Sequence, residues 1–334
     1  MAFEIVATGR AVPPKRITND ELAKILDTSD EWIRSHTGIG NRHIADEQTA
    51  TSDLAVAAAQ EALQMLADQD KSLGGSVEAA AESLDEVIVA TASPDYFGFP
   101  STACLVQDRL GAKRAAAMDV VAGCTGFIYG VETAAGLLSV RQDRKRALVI
   151  GAEILSKITD WNDRGTCVLF GDGAGAVIIE KTEAPSSGPG KRGLLRSVLG
   201  ADGSGGEYLI MRRGGTRNPY KQGETLDQPP HIEMNGRAVY NFAVKAVTDT
   251  MEQLLKEEGL SVDDLSRIVP HQANARIVQA AAKRLGIPEE KFFLNIEEYA
   301  NTSAASVPIA LDELNRSGGL KKGDLIMTLG FGAG

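Results

Sequence analysis

Two stretches of this chain repeat the same order of elements, and that repetition limits the fold more than any single motif. The first opens SLDEVIVATASPD at Ser83, runs through a helix-like stretch ending DRLG at 108–111, then reads AAAMDVVAGC. The second opens SVDDLSRIVPHQAN at Ser261, runs to KRLG at 283–286, then reads KFFLNIEEYAN. Arg109-Leu110-Gly111 and Arg284-Leu285-Gly286 stand 175 residues apart, each followed by a strand-like run. Each copy continues through a sharp turn and a small-residue helix, GFIYGVETAAGLL or SAASVPIALDELN, and finishes in a strand, RALVIG or DLIMTLG. Apolar β-type runs alternating with helical periodicity predict an α/β fold. Strands are expected at 86–91, 114–120, 147–153, 175–180, 267–271 and 324–330, and long helices at 52–66, 242–259 and 274–286. The segment 68–83 reads as a surface insertion, and APSSGPGKR at 184–192 as a loop near a boundary between halves 1–182 and 193–334.

In this register Cys124 and Asn301 fall at nearly equivalent turns, each before a buried-looking helix. Halves packed about a pseudo-twofold axis would bring those helix starts face to face. His271, ending a strand of the second copy, would point into the same crevice outside the strand C-termini, where ligands of α/β sheets gather.

The bulk numbers narrow the chemistry. A formal charge of −10 disfavours nonspecific nucleic-acid binding, which needs a basic surface to neutralise phosphates. No uncharged apolar run reaches the ~20 residues of a membrane span. MAFEIVATGR lacks the basic stretch and apolar core of a signal peptide, and Glu4 argues against a transit peptide, so a cytoplasmic protein is expected. The three cysteines, Cys104, Cys124 and Cys167, include no CxxC pair, so neither a disulfide framework nor a metal site is expected.

Cys104 and Cys167 read as small buried hydrophobes. Cys124 either fills such a gap or is a nucleophile at a helix start. Gly123 and Gly126 allow close backbone approach there, and free N–H groups with the helix dipole would stabilise a thiolate and an oxyanion on a bound thioester. A lone histidine is more often structural, but Pro270, Gln272 and Asn274 surround His271 with polar groups after an apolar strand. Asn301 is by itself explicable as a helix cap. GDGAGA at 171–176 and the closing GFGAG do not meet the dinucleotide fingerprint. The former reads as a tight strand connection, and the latter could supply backbone donors to a crevice. Cys-His-Asn also describes papain-like proteases, whose CGSCW-like context AGCTGF does not match.

TSDEWI (28–33), FPSTAC (99–104), GCTGF (123–127), DRGT (163–166), FGDGAGA (170–176), VPHQAN (269–274), NTSAAS (301–306) and GFGAG occur in order over nearly the whole chain. With them the sequence resembles the β-ketoacyl-acyl carrier protein synthase III family of the thiolase superfamily. The resemblance implies a five-layer αβαβα fold of two similar halves, a homodimer, and initiation of type II fatty acid synthesis. It implies that Cys124 takes an acyl group from an acyl-CoA (acetyl-CoA by default), and that His271 and Asn301 stabilise the enolate formed when malonyl-acyl carrier protein decarboxylates. The N–H groups of Cys124 and Ala333 would form a second oxyanion hole, with Phe331 beside the decarboxylation site. Trp32 and Arg164 match a pair that sandwiches adenine, and Thr37 and Asn274 match tunnel positions. Phe99 matches a cap on the acyl pocket across the dimer interface. Arg276, Lys283 and Arg284 would dock the acidic carrier protein. No cofactor is implied beyond the CoA and phosphopantetheine carried by the substrates. His36 stands where the family usually has Arg, PDYFGFPS (94–101) is a residue longer than common versions, and relatives continue past GFGAG. The alternatives are an acyltransferase or ketosynthase of secondary metabolism, a cysteine hydrolase, and a scaffold without activity.

Overall fold

The two copies fold as sequential layers around a shared centre. A computed structural model describes residues 1–185, 190–225 and 230–333; residues 186–189 of the 184–192 loop and Gly334 of GFGAG lie outside the described residues. The first half carries strands β1 (Ala2–Ala11), β2 (Glu86–Ala90), β3 (Ala116–Val120), β4 (Arg146–Ile154) and β5 (Asp172–Thr182). They form one sheet in the order β1-β5-β4-β2-β3, with β2 parallel to both β3 and β4 and β5 antiparallel to β4 and β1. The second half pairs β6 (Arg267–Pro270) with β7 (Ile326–Leu329) in parallel.

Among the described residues, the helices of eight or more residues are α1 (Asp30–Thr37), α2 (Thr51–Gln69), α3 (Thr102–Arg109), α4 (Gly126–Val140), α5 (Gly236–Glu258), α6 (Ala275–Leu285) and α7 (Ser306–Arg316). One core joins α2 and α3 to the outer face of the first sheet, with Ala58, Leu63, Val106, Ile150 and Ile178 buried. A second joins α5 and α6 to β6 and β7 through Met251, Ile268, Ile277 and Ala281. Between them, Phe127 of α4 and Val307 and Leu311 of α7 pack with Ile88, Val149, Val177 and Val269 from both sheets. The result is the five-layer thiolase-like fold, each large buried side chain contributing about 1.5–3 kcal/mol.

The repeat is visible in the backbone. The turns Gly123–Thr125 and Ser303–Ala305, the helices α4 and α7, and the strands β4 and β7 each begin 180 residues apart (123 and 303, 126 and 306, 146 and 326). Both RLG motifs end a helix with a left-handed glycine, Gly111 at φ +70° and Gly286 at φ +66°. The central layer needs glycine on the sheet face. A Cβ on Gly151 would lie 2.1 Å from Ala304 O, and one on Gly175 would lie 2.5 Å from Ile309 N, so the second half's turn and helix press directly onto β4 and β5.

Several expectations need correction. KFFLN makes a single parallel bridge, Phe292 to Ile268, because Pro288 interrupts it before and the helical turn Ile296–Tyr299 after. The segment 68–83 is not wholly a surface insertion. It completes α2 and adds a short helix, Val77–Glu82, whose Ala80 and Ala81 are buried in the core. GDGAGA is largely part of β5 rather than a connection. Cys104 is exposed, because α3 buries Thr102, Ala103 and Val106 and leaves position 104 off that stripe. Strand β1 and helix α1 have no counterpart among the sequence assignments. Among the described residues, no helix is long and apolar enough to cross a membrane.

Candidate active site

Cys124 sits in the short turn Gly123–Thr125 that leads into α4, and it is buried. Gly123 takes the left-handed conformation (φ +48°) at the start of this turn, which favours glycine. Opposite lies the loop after β7. A Cβ on Gly332 would fall 2.7 Å from Cys124 Cβ and 2.8 Å from its Sγ. Gly332→Ala should therefore displace the thiol and suppress its alkylation by iodoacetamide at least tenfold with the fold retained; unchanged labelling would refute this packing.

Burial pushes the Cys124 thiol above its ordinary pKa, and the charge of Glu153 adds to that. Hydrogen bonds from the Ser303 side chain, the Ala333 backbone and its own backbone act the other way. In the unacylated site, burial thus outweighs the helix-start donors expected to favour a thiolate. Glu153 is itself buried, accepting from Ala92 N (3.1 Å), Ser93 N (3.1 Å) and Ser93 Oγ (2.6 Å).

His271 follows β6, where its N–H donates to Leu329 O (2.7 Å) and extends the ladder by one residue. Its ring meets Phe331 edge-on at 5.2 Å, and Nδ1 lies 2.6 Å from Ser306 Oγ. Burial lowers its pKa to about 3, so the ring is neutral across the physiological range. Asn301 is held on both sides by strained backbone, Ala300 at φ +57° and Ser303 at φ +47°. Its N–H donates to Leu169 O (2.9 Å), and its carbonyl accepts from Gly171 N (3.0 Å). The Ser303 N–H occupies Asn301 Oδ1 at 2.9 Å, which turns the amide NH₂ toward the cavity as a donor.

A cavity of about 420 Å³ joins these groups. Cys124, His271, Asn301 and Phe331 line its inner part, and Trp32, Thr37, Arg164 and Asn274 also face it. Thr37 is fixed by bonds to Ile33 O (2.6 Å) and from Ile39 N (3.0 Å). Asn274 caps α6 and donates to His36 O (3.0 Å), tying α1 to α6. Arg164 stands 4.9 Å over the Trp32 ring, and His36 stacks on that ring at 4.4 Å. This is direct cation–π contact, too close for another planar ring to lie between the two side chains. Phe99 is 88% exposed and away from this chain's cavity. Arg276, Lys283 and Arg284 are exposed on α6.

The sequence reading missed Leu209 and Met234 as cavity walls. They belong to paired two-residue strands, too short for any periodicity to show. It also missed Ser303 and Ser306, which look like ordinary small residues in NTSAAS. Among the described residues, no three His, Cys, Asp or Glu side chains are grouped to hold a metal ion.

Comparison with known proteins agrees with this architecture. The family described as 3-oxoacyl-[acyl-carrier-protein (ACP)] synthase III matches residues 118–203, and its C-terminal counterpart matches 255–334. The chain is 49% identical to a beta-ketoacyl-[acyl-carrier-protein] synthase III from Caldanaerobacter subterraneus subsp. tengcongensis, covering 100% of this chain and 95% of the relative. It is 49% identical to the protein of that name from Natranaerobius thermophilus, covering 99% and 96%. The crystal structure of the 3-oxoacyl-[acyl-carrier-protein] synthase III from Aquifex aeolicus VF5 is 41% identical with a TM-score of 0.82, over 98% of this chain and 94% of that one.

Proposed function

The chain belongs to the 3-oxoacyl-[acyl-carrier-protein] synthase III family of condensing acyltransferases, and from that premise we propose that Cys124 carries the acyl group while His271 and Asn301 stabilise the second substrate's enolate. One observation carries this reading: the cavity that holds the thiol also holds a neutral imidazole and an amide whose oxygen is already engaged. Such a pair donates hydrogen bonds to developing negative charge rather than removing a proton.

In the first step Cys124 Sγ attacks the carbonyl of an acyl-CoA, acetyl-CoA by default. The C–S bond to CoA breaks, and the thiol proton leaves with CoA as its free thiol. Malonyl-acyl carrier protein then enters. Its carboxylate departs as CO₂, and the bonding electrons pass into an enolate whose oxygen accepts from the His271 ring and the Asn301 amide. The enolate carbon attacks the acyl carbonyl, whose oxyanion is held by the N–H groups of Cys124 and Ala333, and collapse expels the Cys124 thiolate with a 3-oxoacyl product. Phe331 against His271 supplies an apolar wall beside the departing CO₂. The expelled thiolate takes one proton from solvent, which restores the thiol and balances the proton lost with CoA; CoA, CO₂ and the 3-oxoacyl product are released, and no further cofactor or metal is assigned.

Trp32, Thr37, Arg164 and Asn274 are assigned to the CoA and phosphopantetheine arm. The first half, 1–182, brings Cys124, and the second, 193–334, brings His271 and Asn301. A second copy of the chain is assigned to the open edge of the first sheet. Among the described residues, strand β3 has a neighbour only on its β2 side, and the apolar Val121, Phe97 and Phe99 beside it are 78%, 62% and 88% exposed. Phe99 would cap the partner's acyl pocket. The cytoplasm is the compartment where these substrates meet.

A chain of charge −10 needs a local cationic dock for an acidic carrier protein, and Arg276, Lys283 and Arg284 are assigned to it. Arg276→Glu should weaken turnover with malonyl-acyl carrier protein about tenfold while sparing acylation by acyl-CoA. Equal loss in both half-reactions would remove this assignment. The function itself is tested with labelled acetyl-CoA, with and without malonyl-acyl carrier protein, followed for CO₂ and 3-oxoacyl product. Acetyl-CoA hydrolysis without condensation would refute it.

A further inference from the structure

A neutral imidazole has one N–H, and which nitrogen carries it decides whether His271 can donate into the cavity. Nδ1 faces away, 2.6 Å from Ser306 Oγ, so Nε2 is the nitrogen left for the cavity. Ser306 begins α7 and is 2% exposed, and its hydroxyl has three neighbours. Gln272 N–H donates to it at 3.4 Å, Ser303 O lies at 2.9 Å, and His271 Nδ1 lies closest of all. The hydroxyl's single proton can go to Ser303 O or to Nδ1, and the two choices put opposite tautomers on the ring.

Two features favour Nδ1. Ser303 O already accepts the Ser306 backbone N–H at the start of the helix and has no need of the hydroxyl. At 2.6 Å, Nδ1 is also the hydroxyl's shortest contact, against 2.9 Å to Ser303 O. We propose that the Ser306 hydroxyl donates to His271 Nδ1 and so keeps the ring's one proton on Nε2, facing the cavity. Ser306 is then a positioning residue: it touches no substrate, yet it sets the donor that the enolate meets. Its catalytic consequence rests on the functional reading above; the tautomer does not.

The test is ¹⁵N NMR of the full-length protein labelled at histidine. The chain has four histidines, and a His271→Gln sample assigns the ring signals of the one at issue. The wild type should show Nε2 protonated and Nδ1 bare. Ser306→Ala should shift the ring toward the Nδ1–H form or a mixture, and slow condensation about 10-fold to 100-fold, at or below the loss of a full oxyanion donor. Ser306→Cys, near in size with a weaker donor, should shift the ring the same way and serves where the alanine variant does not fold. A wild-type ring protonated on Nδ1 overturns the proposal, as does a ring unchanged in the variants. The spectrum needs no turnover, so failure of the acetyl-CoA assay would refute the function and leave the tautomer standing.

Discussion

Cys124→Ala will leave the protein unable to form a covalent acyl enzyme, and condensation will fall by roughly 10⁴-fold or more. The magnitude follows because, among the described residues, Cys124 is the one thiol lining the cavity. Thr37 Oγ1 is tied between Ile33 O and Ile39 N, and Tyr240 OH donates to Arg276 O at 3.4 Å. Cys167 lies elsewhere beside Arg42, its thiol pushed up to about 11 chiefly by burial, and Cys104 is exposed on α3. Intact-mass measurement after incubation with acetyl-CoA should show one acetyl group on the wild type and none on the variant. Decarboxylation of malonyl-acyl carrier protein should persist, because His271 and Asn301 are untouched. A variant that still acquires an acetyl group would remove Cys124 from its role. One that lost both activities would mean that the thiol also organises the enolate site.

What made the site legible was the repeat, because position along a duplicated unit predicts position in space. The spacing of 175 between the RLG motifs was five short of the structural register of 180. The true counterpart of Cys124 is therefore Ala304, and Asn301 lies just before the equivalent turn. The error was small because the two turns still meet, the second of them seated on β4 where Gly151 leaves room for Ala304 O. Features that depend on a hydrogen bond's direction were not legible. Nothing in NTSAAS says that Ser303 N–H will occupy the Asn301 oxygen, or that Ser306 will reach His271. The closed contact of Trp32 with Arg164 was hidden for a related reason. A motif names both residues but not the distance between them. The helix α6 and the ends of both helices at the RLG motifs were legible, because periodicity and a terminal glycine act locally.

Asn301→Asp should be the most damaging conservative change in the second half of the site. It keeps an oxygen for the Ser303 N–H, so the strained backbone at Ala300 and Ser303 retains its support. It replaces the donating NH₂ with an oxygen that carries negative charge at neutral pH, aimed at an enolate of the same sign. Loss of one oxyanion donor costs about 10²–10³ in rate, or about 2.7–4 kcal/mol, and the added repulsion raises that further. Acyl-enzyme formation should survive, so single-turnover mixing of preformed acetyl-enzyme with malonyl-acyl carrier protein isolates the loss. Asn301→Ala would be less informative, since it strands a buried N–H at about 1–3 kcal/mol of stability. The partner donor, His271, supplies the pH signature. Burial holds its pKa near 3 against 6.5 for the free side chain, so the ring stays neutral and the condensation rate should not fall through His271 between pH 8 and 5. Folding is linked in the opposite direction. Below about 6.5 the unfolded chain takes up a proton that the folded ring refuses, so His271 erodes stability as the pH drops from 6.5 toward 3. A condensation rate that titrated near pH 6 in the wild type and lost that step in His271→Gln would show a charged imidazole at work and overturn the neutral-donor mechanism.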